Sequence, residues 1–188
     1  MATIIDLQLA LVNRCKRGDS NAQKELYERY VQAMYNVALR ITQDVMEAED
    51  VLQEAFLRAF RHLQNFKGDA TFGAWLKRIV INTAINHIKQ RKTERLHWDQ
   101  ADGAYWDEPQ KEESNTPMAE IQQAINDLPE GYRTVFTLYQ IEGYDHKEIS
   151  NILQISEATS KSQFSRAKKK LREKLAIPYQ ETRIANYS

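Results

Sequence analysis

The side chains best placed to do chemistry lie between Asp145 and Leu175, in the run DHKEISNILQISEATSKSQFSRAKKKLREKL. From Thr159 to Lys174 it carries Lys161, Arg166, Lys168, Lys169, Lys170, Arg172 and Lys174 against Glu173 alone, which is 7 − 1 = +6. The chemistry such a set performs is non-covalent: ammonium and guanidinium groups neutralise phosphates, and Arg, Ser and Thr side chains bond base edges. The spacing tells how they are presented. Phe164, Ala167, Leu171 and Leu175 recur at steps of 3, 4 and 4, one apolar stripe of a helix, while Lys161, Ser162, Ser165, Arg166, Lys168 and Lys169 take the rest of its surface. A merely solvated face usually mixes signs, and this one does not. Ahead of it, Asp145 and Glu148 predict a capping box, Ile149, Ile152 and Leu153 an inner stripe, and Ile155-Ser156 a turn. A short helix, a tight turn and a basic helix starting near Glu157 make a helix-turn-helix, whose expected ligand is duplex DNA.

A second group of residues suits a different form of nucleic acid. Phe66 to Trp75 reads as a loop containing Gly68, Asp69 and Gly73, and the helix after it ends in Lys89, Arg91 and Lys92. Single-stranded DNA offers unstacked bases, which pockets and stacking read while Lys and Arg follow the phosphates. The helix before that loop is different again. Glu47, Glu49, Asp50, Gln53, Glu54 and Arg58 surround its apolar stripe, a surface too acidic for DNA and suited to protein.

The zero net charge conceals this division. Residues 1–95 hold 15 basic and 11 acidic side chains (+4), residues 96–119 hold 1 and 6 (−5), and residues 120–188 hold 10 and 9 (+1). Positive charge therefore concentrates in two separate patches, each able to contact DNA.

Elements able to hold these groups follow from the apolar periodicity. Six Gly and four Pro in 188 residues, with 42% hydrophobic content, predict an all-α chain with two small helical domains. Helices are expected at about Ile4 to Arg17, Ala22 to Ile41, Val45 to Asn65 and Thr71 to Arg95. Ser20 with Gln23, Asp44 with Glu47, and Thr71 are the expected caps of the last three. Leu26, Tyr30, Met34, Val37 and Ile41 form one stripe. Val51, Leu52, Ala55, Phe56, Ala59, Phe60 and Leu63 form another, and Phe72, Trp75, Leu76, Ile79, Val80 and Ile88 a third. His97 to Pro117 loses periodicity and gathers acids, Pro, Gly, Ser and Asn, so it reads as an acidic flexible linker. The expected organisation is a first domain at 1–96, the linker at 97–117 and a helix-turn-helix domain at 118–188. In the last, helices at Met118 to Asp127 and Glu130 to Ile141 turn Ile121, Ala124, Ile125, Leu128, Val135, Phe136 and Tyr139 inward.

EAEDVLQEAFLRAF at Glu47 to Phe60, followed by FKGDATFGAWLKRIVINTAINHIKQRK at Phe66 to Lys92, resembles the first domain of bacterial sigma factors. With the acidic linker and a second domain opening on LPEGYRTVFTLYQIEGYDHKEIS, nearly the whole chain resembles the extracytoplasmic-function class of the major sigma family. The resemblance implies a protein that is not an enzyme and uses no cofactor. It binds core RNA polymerase, directs it to a promoter and helps open the duplex, with core polymerase, promoter DNA and an anti-sigma protein as partners. It also implies residue roles. Asp50, Gln53, Glu54, Phe56 and Arg58 would contact the polymerase clamp. Lys67, Gly68, Asp69, Thr71, Trp75, Arg78, Asn82, Asn86, Lys89, Arg91 and Lys92 would contact the melted downstream element, where the loop captures a flipped base. Thr159, Lys161, Ser162, Gln163 and Arg166 would contact bases or phosphates of the upstream element, and Lys168 and Lys169 its phosphates. Trp75 shares stripe spacing with Phe72 and Ile79, which suits a core ring as well as a base platform. Asn82 is a polar amide among apolar neighbours and needs a partner. The chain departs from the family pattern at Asn86, where Asp is usual, and at Ser160-Lys161-Ser162-Gln163, where Val-Lys/Arg-Ser-Arg is common; both bear on base preference.

Two other readings compete. A helix-turn-helix regulator acting without polymerase would need a sensor or ligand domain where Phe66 to Lys92 stands. A helical metalloenzyme would need two Glu-x-x-His pairs, and Glu94 with His97 supplies one. His62, His87 and His146 lack partners at ligand or triad spacing, and no Gly-rich phosphate loop is present. The single cysteine, Cys15, excludes an internal disulfide. No run approaches the roughly 18 apolar residues of a membrane span and Met1 to Leu11 does not read as a signal peptide, so a cytoplasmic protein without membrane insertion is expected.

Overall fold

A computed structural model describes residues 4–98 and 117–175. The chain divides into two compact units, Met1–Tyr105 and Trp106–Ser188, and the division falls within the stretch expected to be linker. Linker residues 99–116, and the side chains of Glu94 and His97, lie outside the described residues.

The first unit contains α1 (Ile4–Lys16), α2 (Ser20–Thr42), α3 (Val45–Arg61) and α4 (Phe72–Trp98), with a 3-10 turn at Leu63–Asn65. α2, α3 and α4 pack against one another and α1 lies on α2. The buried faces are those expected for α2 and α3: Leu26, Met34, Val37 and Ile41 on one, Val51, Leu52, Ala55, Phe56 and Ala59 on the other. α4 buries a wider face than one stripe predicts, since Ile81, Thr83, Ala84 and Ile85 join Phe72, Leu76, Val80 and Ile88. It touches both α2 and α3, and covering two sides of a helix requires two apolar stripes.

Two local expectations are corrected. α2 is capped by Asp19 rather than Ser20: the Asp19 carboxylate accepts from the Ala22 amide at 3.0 Å, and that bond holds its pKa below the usual value. A carboxylate bonds the exposed N–H groups of a helix start more strongly than a hydroxyl does. The third helix stops at Arg61 instead of reaching Asn65. The 3-10 turn then brings positions three apart onto one side, so that Leu63 and Phe66 are both buried. The Asp44 cap stands, with its carboxylate accepting from the Glu47 amide at 2.8 Å.

The second unit contains α5 (Pro117–Asn126), α6 (Glu130–Phe136) continued by a π turn at Thr137–Ile141, α7 (His146–Leu153) and α8 (Glu157–Lys174). Ala124, Ile125 and Leu128 pack on Ala167 and Leu171. The expected uniform helix from Glu130 to Ile141 is where the inward positions go wrong. The π turn inserts an extra residue, which advances later side chains by about 100° around the axis. Thr137 and Leu138 are therefore buried, whereas Tyr139 is 37% exposed and keeps its ring on Phe164 and His146, at 4.4 and 4.5 Å between centres. Ile121 is exposed too, one turn ahead of the part of α5 that meets α8.

The helix-turn-helix is built as its polar residues predict. Asp145 Oδ1 accepts from the Glu148 amide at 2.7 Å and Glu148 Oε2 accepts from the Asp145 amide at 3.0 Å, closing the capping box. Gln154 ends α7 in the left-handed region, φ 58°, and the Ser156 hydroxyl caps α8 through the Thr159 amide at 3.0 Å. Asp145→Ala should lower the stability of this unit by about 0.5–2 kcal/mol. Urea unfolding of the full chain followed by circular dichroism reads the loss, and an unchanged midpoint would show the cap to be dispensable.

Candidate nucleic-acid and protein-docking surfaces

In the second unit, burying Phe164, Ala167 and Leu171 turns Lys161, Ser162, Arg166, Lys168 and Lys169 outward from α8. Their local partners rank their freedom. Lys161 pairs with Glu157 at 2.6 Å, Lys169 with Glu173 at 3.9 Å, and Lys168 sits 4.7 Å from the Phe164 ring centre. Such exposed pairs contribute little and are readily exchanged for a phosphate. Arg166 is exposed and has no ion pair or hydrogen bond to another described side chain. Thr159 is half-buried with its hydroxyl 2.8 Å from that of Ser156. Gln163 lies against α6, where a Cβ added to Gly131 would stand 3.6 Å from its amide. Ser160 points inward. It is fully buried, and its hydroxyl is 2.9 Å from His146 Nδ1, so this departure from the family pattern adjusts the core instead of a base contact.

In the first unit, an open cleft of about 560 Å³ is lined by Arg58, Arg61, His62 and Asn65 at the end of α3 and by Trp75, Ile79 and Asn82 on α4. Trp75 is a core ring that also borders the cleft. Its ring packs on Phe66 and Phe72, at 5.4 and 5.6 Å between centres, and lines the cleft as well. Asn82 is exposed at the cleft wall, its amide available to a ligand. Arg78, Asn86, Lys89 and Lys92 are exposed along α4, so Trp75 to Lys89 make a track about 21 Å long at 1.5 Å per residue. Lys67, Gly68 and Asp69 are exposed in the adjoining loop. Thr71, also exposed, caps α4 by accepting from the Ala74 amide at 3.2 Å. Arg91 does not join the track: it forms a two-bond fork with Glu47, at 2.9 and 3.0 Å, which fastens α4 to the start of α3.

The third surface is the outer face of α3. Asp50 and Gln53 are exposed there, flanked by Met46 and Leu57, which are 77% and 65% exposed. The four recur at steps of 4, 3 and 4, a second stripe out of phase with the core one. Sequence reasoning missed Met46 and Leu57, although apolar residues off the core phase were the available signal. Phe56 is a correction. It is 3% exposed and edge-on to Tyr27 at 4.7 Å, so it belongs to the interior and not to a docking face. Glu54 is held by His87 at 2.8 Å and by Arg58 at 2.5 Å, and the His87 bond leads in keeping its carboxyl pKa below the usual value. Arg58 stands on the cleft wall.

Among the described residues no group of three or more His, Cys, Asp or Glu converges, and no helix is long and apolar enough to cross a membrane.

Known proteins share this arrangement. Sigma-70 region 2 matches residues 26–94, and sigma-70 region 4 matches residues 118–171. The RNA polymerase sigma-H factor of Pseudomonas aeruginosa is 36% identical over 170 residues, covering 84% of this chain and 88% of that protein. The ECF RNA polymerase sigma factor SigW of Bacillus subtilis is 34% identical over 180 residues, covering 87% and 94%. Among solved structures, the sigma factor RpoE of Bartonella quintana, in complex with the anti-sigma factor NepR, has a TM-score of 0.59 at 21% identity. It covers 83% of this chain and 98% of that one. CnrH, in complex with the cytosolic domain of CnrY, has a TM-score of 0.54 at 23% identity, with 92% and 99% covered. At those identities the likeness concerns the fold. The exposed α3 stripe, the cleft beside it and the basic helix of the second unit thus stand in a chain that belongs to the sigma-70 family, in its ECF class of RNA polymerase sigma factors.

Proposed function

We infer that this chain is a transcription initiation factor: it binds core RNA polymerase, directs it to specific promoters and helps melt the promoter DNA. The observation that carries this reading is the α3 stripe Met46, Asp50, Gln53 and Leu57, two acid-or-amide side chains between two exposed apolar ones. Such a stripe suits a protein partner and repels phosphate. A regulator that works without polymerase has no use for it. In this reading the cleft at Trp75 and Asn82 takes an unstacked base of the downstream element, the α4 cations follow the single strand, and α8 enters the major groove of the upstream element. The chain acts by binding, makes no covalent bond and works in the cytoplasm. Its regulator is an anti-sigma protein, a reading supported by the partners in the RpoE and CnrH complexes. The acidic linker, Asp99 to Glu113, follows the nucleic-acid path through polymerase, since six acids with almost no apolar periodicity cannot form a core.

The test adds the purified chain to sigma-free bacterial RNA polymerase on genomic DNA fragments and sequences the transcripts. Specific start sites absent without the chain are expected. No specific initiation, together with tight sequence-specific DNA binding by the chain alone at physiological salt, would favour the regulator instead.

A further inference from the structure

None of the described side chains of helix α1 lines the three surfaces, yet the helix grips the loop that leads into α4. Lys16 is half-buried, and its ammonium donates to the Phe66 carbonyl at 2.7 Å while lying 5.8 Å from the Phe66 ring centre. Gln64 returns a bond from its side-chain amide to the Lys16 carbonyl at 2.9 Å. Leu9 abuts Gly68: a Cβ there would stand 3.6 Å from Leu9 Cδ2, and Gly68 has φ +84°. The Gln8 side-chain amide bonds the Tyr30 hydroxyl. The Tyr30 ring in turn leaves no room on Gly73 at the start of α4, where a Cβ would meet Tyr30 Cε1 at 2.9 Å.

The Lys16 contact leads to one ring. The Phe66 amide closes the 3-10 turn by donating to the Leu63 carbonyl at 3.1 Å, and the cation that reaches the Phe66 carbonyl from 50 residues away makes a charge-assisted bond, stronger than a neutral one. The Phe66 ring packs on Trp75, and Trp75 lines the cleft. Lys16, Phe66, Trp75 and the cleft therefore form a contiguous packed chain from α1 to the candidate base pocket. An exposed loop is ordinarily soft, and ordering it at the moment of binding costs affinity; holding it beforehand removes that cost.

We propose that Lys16 is a positioning residue for promoter melting, holding through Phe66 the loop 66–71 and the Trp75 ring in the geometry that accepts an unstacked base. The proposal rests on the promoter-opening role inferred above. It assigns α1 to the opening step and not to recruitment of polymerase, because none of the gripping residues lies on the α3 stripe.

The test uses the full chain with sigma-free core RNA polymerase and a duplex promoter obtained from the start-site mapping. The same fragment is also prepared with a non-complementary bubble over the downstream element. Lys16→Met keeps the alkyl stem and removes the donor; Lys16→Arg keeps a cation. On the duplex, Lys16→Met should lose about tenfold in both transcript yield and permanganate reactivity of thymines near the start site, equivalent to about 1.4 kcal/mol. On the bubble it should stay within about twofold of wild type, because capture no longer has to supply the opening energy. Lys16→Arg should recover most of the loss, and Gln64→Leu, which removes only the return bond, should lose about threefold on the duplex alone. Wild-type opening by both Lys16→Met and Gln64→Leu, or equal losses on duplex and bubble, would overturn the proposal. Failure of the unmodified chain to open the duplex at all would instead overturn the function on which it rests.

Discussion

Leu57→Glu should weaken binding to core RNA polymerase by a hundredfold or more while leaving the unfolding of the chain nearly unchanged. The two halves of that expectation have separate causes. Leu57 is 65% exposed on the free chain, so its replacement removes little core packing, and surface changes of this kind usually stay within about 0.5 kcal/mol. In the docking proposed for α3, the stripe Met46, Asp50, Gln53 and Leu57 is covered by polymerase. Burying a leucine contributes about 1.5–3 kcal/mol, and leaving a carboxylate without a partner at the same spot adds a further penalty of at least 1–3 kcal/mol. The sum, about 2.5–6 kcal/mol, is centred above the roughly 2.8 kcal/mol that corresponds to a hundredfold. Phe56→Ala is the instructive contrast. That ring is in the core against Tyr27, so its loss should cost about 3–5 kcal/mol of folding, and any loss of polymerase binding would follow from unfolding. Titrating fluorescently labelled chain with sigma-free polymerase, alongside thermal unfolding, separates the two. Wild-type affinity in folded Leu57→Glu would remove α3 from the docking surface.

What the residues disclosed in advance, and what they hid, divides along the range of the interactions. Caps are local. Asp44, Thr71, Asp145 and Glu148 could be read directly because an N-cap depends on three or four consecutive residues. The α8 stripe was legible for the same reason, since Phe164, Ala167 and Leu171 bury only against a face whose period is set by the helix itself. The misreadings come from interactions that span the fold. Glu47 has the position of a capping-box partner for Asp44, but its carboxylate bonds Arg91, 44 residues on, and that fork removes Arg91 from the nucleic-acid track. Only the packing of α4 on α3 brings the two together. Likewise Tyr139 continues the 3.6-residue period of α6, and the π turn that buries Thr137 and Leu138 while leaving Tyr139 partly exposed leaves no mark in composition. Ser160 belongs to a segment whose departure from the family pattern bears on base preference, but its own direction follows from helical phase, one turn ahead of Phe164, with His146 across the turn.

The candidate site was legible to a similar degree. Local charge content distinguishes α8 and the end of α4 from the acidic α3 face in the sequence itself, because it needs only the order of residues. The cleft was less accessible. Arg61, His62 and Asn65 join Trp75, Ile79 and Asn82 only because α3 breaks at Arg61 and the 3-10 turn redirects the chain. Met46 and Leu57 were missed for the opposite reason. A reading that seeks one apolar stripe per helix sets aside apolar residues in the wrong phase, and on α3 those are the ones left for a partner.

Arg166→Ala should reduce initiation at promoters that depend on the upstream element by about 5- to 150-fold, while affinity for core polymerase persists. That range corresponds to the roughly 1–3 kcal/mol of a good bidentate contact between a guanidinium and the O6 and N7 of guanine. Arg166 is the appropriate residue for the test because it is exposed and no described side chain competes for it. Lys161 and Lys169, held by Glu157 and Glu173, can reach phosphate as point charges but lack the planar fork that distinguishes one base pair from another. Position supports the choice as well. Arg166 lies two residues past Phe164 and five before Leu171, away from the buried stripe, and α8 can enter a groove only with that side forward. Two measurements separate base reading from phosphate contact. If Arg166 reads a base, the variant loses the distinction between the native upstream element and one carrying a changed base pair, and the salt dependence of promoter binding is altered little. A phosphate contact would weaken native and changed promoters by the same factor and lower the salt slope by about one. An unchanged activity ratio between native and altered elements in Arg166→Ala would leave this side chain without sequence information, and discrimination at the upstream element would then have to come from Ser162 or from the shape of the DNA.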